Sequence, residues 1–234
     1  MWTLLLSLAL AQDDVPSLVE LLPDVPSFTT ARKRMYEIHA DNGVTLYCGC
    51  TWTDKVVDLK SCGLGEYDSM RWNRTEAEHV VPASAIGSTR DCWAEGRDYC
   101  LKHDAVFRAA HNDLHNLYPA VGQINNYRSN NLIGIVLGDT LEWGTCDFEI
   151  DLETDKAEPR PQVRGDIARI HFYVAWMYGV PIPEWQTRLF LWWHQSDPVD
   201  AWELERNARI RKIQGNGNPF VEASLAAMSK SDEE

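Results

Sequence analysis

Residues 77–84 read Ala-Glu-His-Val-Val-Pro-Ala-Ser. Two later stretches answer them: Asn112-Asp113-Leu114-His115-Asn116-Leu117-Tyr118-Pro119 and Ile124-Asn125-Asn126-Tyr127-Arg128-Ser129-Asn130. An acid-His pair, then Asn-Leu, then a second asparagine predicts a strand over 74–81, a second strand over 113–118 and a helix over 119–129 that carries Asn125. Successive strand residues point to opposite faces. Glu78 and His79 therefore share one pocket only where the strand gives way to a loop, and Pro82 marks that exit. A Glu-His dipeptide alone is ordinary surface. Three ordered segments of complementary residue types are a far more specific signal.

Those residue types define a chemistry. A neutral imidazole is a base near pH 7, which makes His79 the candidate general base. Carboxylate and amide oxygens suit a hard cation such as Mg²⁺, which retains several waters and takes few protein ligands; Ca²⁺ and Mn²⁺ are candidate substitutes. Glu78 and Asn125 are the expected ligands, although Asn126 next door leaves the register open. A base beside a cation that neutralises charge is what hydrolysis of a phosphodiester requires. Asn116 is expected to hold the hairpin together and orient the base.

Further blocks extend the pattern from about Arg34 to Val221. They include Tyr47-Cys48-Gly49-Cys50, Cys92-Trp93, Gly96-Arg97, Cys100, Val121-Gly122, Gly165-Asp166-Ile167-Ala168-Arg169, Trp202-Glu203, Arg206-Asn207 and Gln214-Gly215-Asn216-Gly217-Asn218-Pro219-Phe220. With these blocks the chain resembles the bacterial endonuclease I family, periplasmic or secreted non-specific DNases with a ββα-metal (His-Me finger) site. The resemblance implies a monomeric, Mg²⁺-dependent endonuclease acting on DNA, with RNA a further candidate substrate, and leaving 5′-phosphate and 3′-hydroxyl ends. It places Arg97 on the scissile phosphate, a role suited to a permanently charged group that grips two oxygens at once. The chain departs from the family at His111, where members often carry an acid.

At 234 residues and 44% apolar content the chain is long enough to bury one sizeable core. The expected architecture is α+β: one mainly helical domain around a small sheet. Helices are predicted from a Ser27 cap through Ala40, over 105–110, over 165–178, and over 183–193 and 198–213. The four tryptophans 176, 185, 192 and 193 are expected in the core. Residues 1–11 read as a short signal peptide ending Ala9-Leu10-Ala11, with no Lys or Arg before the apolar run and too few apolar residues to span a membrane. Residues 12–33 read as an exposed lead-in, 34–222 as the catalytic domain and 223–234 as an acidic tail. Six cysteines fit an oxidising compartment. Cys92 and Cys100 suit a small loop, Cys146 must reach Cys48, Cys50 or Cys62, and the pairing stays open.

The net charge of −13 runs against nucleic-acid binding, which favours a basic face. Position offsets the sum: residues 71–130 carry seven basic and seven acidic groups, while 139–158 carry eight acids and only Lys156. Arg97, Arg128 and Arg169 are the candidate lining of a basic groove, with Arg128 set either to contact a neighbouring phosphate or to pair with an acid. Two other classes compete. A catalytically inert secreted module that binds nucleic acid or protein predicts a damaged metal site, which this sequence lacks. A phosphoesterase for small substrates predicts a closed pocket instead of an open groove.

Overall fold

The computed structural model describes residues 22–23, 25–67, 69–138 and 143–223. The expected leader, half of the lead-in, residues 139–142 of the acidic run and the tail beyond Ala223 lie outside the described residues.

Helix α1 (Phe28–His39) starts at its predicted cap: the Thr30 amide donates to the Ser27 hydroxyl at 3.2 Å, satisfying an amide that a helix start leaves orphaned. Ala31, Met35 and Ile38 pack with Val25, Leu114, Leu117 and Ile210 in a small separate core. The lead-in is thus not exposed throughout, since Val25 and Ala31 seal α1 against the rest of the domain. A short hairpin follows, β1 (Trp52–Thr53) against β2 (Val56–Val57).

The central hairpin pairs β3 (Thr75–His79) with β4 (Leu117–Val121) in antiparallel register, His79 opposite Leu117 and Thr75 opposite Val121. Between them run α2 (Ala83–Gly87), α3 (Arg97–His103) and α4 (Ala105–Asn112). Strand β4 begins four residues later than predicted. The Asp113 carboxylate captures the His115 amide at 2.8 Å and winds residues 114–116 into a 3₁₀ turn. Pro119 is tolerated because the sheet has only two strands, and its carbonyl accepts from the Leu46 amide at 2.9 Å. Helix α5 (Gly122–Arg128) follows at once, so strand, strand and helix form one compact unit. It starts three residues after the predicted position, because residues 119–121 stay in the ladder.

A third sheet orders its strands β5-β7-β6, with β5 (Leu132–Ile133) parallel to β7 (Lys156–Glu158) and β6 (Glu149–Asp151) antiparallel to it. Helices α6 (Arg164–Tyr178), α7 (Glu184–Ser196) and α8 (Ala201–Gln214) complete the domain, which is α+β and mostly helical as expected. Trp193 is fully buried, but Trp176, Trp185 and Trp192 are exposed, contrary to the core placement expected of all four. Neighbours on a helix diverge in direction, so Trp193 points inward and Trp192 outward. Disulfides join Cys48–Cys146, Cys50–Cys62 and Cys92–Cys100.

Candidate active site

The strand carrying the Glu-His pair ends at His79. Beyond it, Asn116 takes over the ladder. Its side chain accepts from the Val81 amide at 2.7 Å and donates to the Val81 carbonyl at 2.9 Å, while its own carbonyl accepts from the Val80 amide. Buried completely, Asn116 acts as a brace and does not face the cleft. The chain leaves β3 at a fixed angle, and Glu78 and His79 both line one cleft of about 500 Å³ together with Arg97 and Asn125.

Glu78 is almost wholly buried. The Tyr47 hydroxyl donates to its Oε1 at 2.6 Å, and Arg128 Nη1 lies 3.2 Å from the same oxygen. Burial raises the Glu78 pKa, and Arg128 and then the Tyr47 hydrogen bond oppose that shift. Both side-chain contacts fall on Oε1, and neither engages Oε2. Asn125 turns its Nδ2 toward Glu76 at 3.4 Å, which leaves its carbonyl oxygen for the cleft. The neighbouring Asn126 is committed elsewhere, its Oδ1 accepting from Arg71 Nη1 at 2.6 Å. Among the described residues there is no cluster of three or more His, Cys, Asp or Glu that could hold a metal. The donor set is two hard oxygens, one charged and one neutral. It fits a Mg²⁺-like ion that keeps most of its water.

His79 is half-buried between Phe28, stacked at 5.3 Å between ring centroids, and the His111 ring at 4.6 Å. Its Nε2 donates to the His111 carbonyl at 2.8 Å, which assigns the proton to Nε2 and leaves Nδ1 as the basic atom. Burial lowers the His79 pKa to about 3, with His111 as the next cause, so the ring is neutral at physiological pH. Arg97 is exposed at the N-terminus of α3, just after Gly96 at φ +93°, and its Nη2 contacts His111 Nε2.

Set beside proteins of known family, the Endonuclease I model matches residues 25–224. The chain belongs to the Endonuclease I family. An extracellular deoxyribonuclease of Aeromonas hydrophila is 39% identical over 93% of this chain and 96% of its own length. A periplasmic deoxyribonuclease of the same organism is 37% identical over 85% and 86%. Endonuclease-1 of Buchnera aphidicola subsp. Baizongia pistaciae is 38% identical over 83% and 82%. No helix among the described residues is long and apolar enough to cross a membrane.

Two arginines of this Endonuclease I member are not where a phosphate groove needs them. Arg128 is 1% exposed and donates to the His79 carbonyl at 3.0 Å and the Val80 carbonyl at 2.6 Å. It pairs with an acid, Glu78, and supports the site from beneath. Arg169 is fully buried, donating to Glu203 Oε1 and the Asp197 carbonyl, both at 2.8 Å; it ties α6 to α8 and does not line the cleft. Both placements have one cause. A guanidinium under a packed helix satisfies buried carbonyls and carboxylates that would otherwise lie unpaired, and nothing in a linear sequence distinguishes it from a surface arginine.

Sequence reasoning missed Tyr47 and Phe28 as site residues. Tyr47 stands in the Tyr-Cys-Gly-Cys block, whose two cysteines are both disulfide-bonded, but the pairing was open in the sequence and nothing there singled out the Tyr47 hydroxyl. Phe28 carried no signal beyond its place at a helix start.

Proposed function

We propose that the protein is a secreted or periplasmic, Mg²⁺-dependent endonuclease that hydrolyses DNA phosphodiester bonds with little sequence preference, leaving 5′-phosphate ends. Its membership of the Endonuclease I family supports the nuclease class, and the names of its relatives support the compartment. One observation carries the catalytic reading. His79 has its Nε2 committed to the His111 carbonyl, so Nδ1 is a neutral, unprotonated base in the same cleft as the Glu78 carboxylate and the Asn125 amide.

In this mechanism His79 Nδ1 takes the proton of the water that attacks phosphorus, the P–O3′ bond breaks, and the departing 3′ oxygen takes a proton from solvent. Glu78 and Asn125 are the residues that would hold the cation, which would supply charge neutralisation at the phosphate. Arg97 binds a non-bridging oxygen and is best matched to the charge that develops there. Contacts to the phosphate backbone carry no sequence information, in keeping with a non-specific substrate class.

The test is relaxation of supercoiled plasmid by purified protein with Mg²⁺ or EDTA. Cleavage is expected with Mg²⁺ alone, and fragments should ligate without prior kinase treatment because they carry 5′-phosphates. Glu78→Ala and Asn125→Ala should need more Mg²⁺ for the same rate. Cleavage in EDTA, or variants indifferent to Mg²⁺ concentration, would remove the assigned metal role.

A further inference from the structure

His111 is a buried imidazole that none of these steps uses, yet it touches two of the groups that they do. Its backbone carbonyl receives His79 Nε2. Its side chain belongs to a directed chain of hydrogen bonds. Asn112 Nδ2 donates to the Val25 carbonyl at 3.0 Å, which fixes the amide and turns Oδ1 toward His111. That oxygen accepts from His111 Nδ1 at 3.3 Å. An amide oxygen cannot donate, so Nδ1 carries the proton and the lone pair sits on Nε2. Arg97 Nη2 donates to that lone pair.

We propose that His111 is the positioning residue for Arg97. It is a tautomer-locked neutral acceptor that holds the guanidinium over the cleft while its backbone carbonyl orders the general base. The inference rests on the nuclease reading above and deepens it. Arg97 needs such a partner because it is exposed and a free arginine side chain carries about 2 kcal/mol of rotamer entropy. Phe28 edge-on at 4.9 Å and Phe107 at 5.9 Å wall the imidazole in, so it cannot swing out of reach. The choice of a neutral acceptor matters. A carboxylate there would pair with Arg97 and compete with the phosphate for its charge, whereas a neutral imidazole orients the guanidinium and leaves its charge for substrate. Burial, followed by the Arg97 charge, lowers the His111 pKa to about 4, consistent with a ring that stays neutral.

A double-mutant cycle on turnover at saturating plasmid and Mg²⁺ tests this, with wild type, Arg97→Ala, His111→Ala and the double variant. The His79–carbonyl contact survives every substitution at 111, because it uses the backbone. His111→Ala should slow turnover by on the order of ten- to a hundredfold, the usual effect of removing an outer partner of a catalytic group. His111→Gln, which restores a neutral acceptor, should recover most of the loss. In the Arg97→Ala background, His111→Ala should change turnover by no more than about a factor of two, the error of additivity. Equal losses in both backgrounds, or a glutamine no better than alanine, would overturn the proposal.

Nitrogen NMR of the substrate-free protein separates this inference from the nuclease reading. His111 should be protonated at Nδ1, with an Nε2 resonance that moves in Arg97→Ala. An Nε2-protonated His111 would overturn the positioning role whatever the cleavage assay gives. The expected tautomer in a protein that leaves DNA intact would uphold the contact and discard the nuclease.

Discussion

Replacing Arg128 with methionine separates a phosphate contact from a buried support. Arg128 makes three contacts: to the His79 carbonyl at 3.0 Å, the Val80 carbonyl at 2.6 Å and Glu78 Oε1 at 3.2 Å. Methionine fills much of the space but leaves a buried carboxylate with no counter-charge, which costs about 3–5 kcal/mol. A domain of this size is stable by about 5–15 kcal/mol, so the variant should fold but unfold at much lower urea, read by tryptophan fluorescence. The loss should depend on pH. Burial already raises the Glu78 pKa and Arg128 opposes that shift, so the variant raises it further. A carboxyl whose folded pKa lies above its unfolded value binds its proton more tightly when folded, and stability falls as pH rises from the ordinary carboxylate range toward that raised pKa. The gap between wild type and variant should therefore narrow as pH falls and Glu78 takes up its proton, and widen as pH rises, with EDTA present throughout. A variant of wild-type stability that instead lost DNA affinity and about one unit of salt slope would refute the support role and restore Arg128 to the phosphate groove.

Three other outcomes follow from the same geometry. Because the His79 pKa is lowered to about 3, the base is unprotonated across the neutral range and becomes protonated only as pH falls toward that value; turnover measured between pH 8 and 5 should show no step at about 6.5, the ordinary histidine value. Removing the disulfides should rank by the chain they enclose. Loop entropy gives about 4.7 kcal/mol for Cys48–Cys146, separated by 98 residues, against about 2.5 kcal/mol for Cys92–Cys100, separated by 8. Even so, Cys92→Ala/Cys100→Ala should harm cleavage more than its stability loss suggests, since that loop carries Arg97, and a kcat equal to wild type would count against Arg97 as a phosphate ligand. Of the three arginines expected to line a groove only Arg97 reaches the cleft, so the net charge of −13 should repel DNA at low salt. Activity is then expected to peak on the order of a few tenths molar NaCl, where the Debye length is under about 8 Å, and a steady decline from the lowest salt would show that local charge governs binding.

What the sequence made legible was mostly local. Ser27 announced α1 because a capping hydroxyl acts on an amide three residues away. Glu78, His79, Arg97 and Asn125 were all named beforehand and all line one cleft. That Asn126 has its side-chain oxygen engaged was not legible, because the partner is Arg71, which reaches across from a segment more than fifty residues earlier. The start of β4 was misplaced for a similar reason: Asp113 is held by Tyr173, Tyr178 and Gln214, all distant in sequence, as well as by its own turn. Arg169 read as a groove residue, and Arg128 stayed open between a phosphate and an acid, because burial of an arginine depends on what packs over it. The exposed tryptophans of α6 and α7 show the reverse error, an apolar face assumed to be covered.

The central claim, that His79 is the base of a hydrolytic cleft, is tested most directly by single-turnover cleavage of a labelled DNA duplex by His79→Ala at saturating Mg²⁺. The chemical step should slow by about 10²–10⁴, while DNA affinity and the urea midpoint stay near wild type, because the substitution removes neither Arg97 nor the Asn116 brace. A His79→Ala protein that cuts DNA at the wild-type rate would contradict the account.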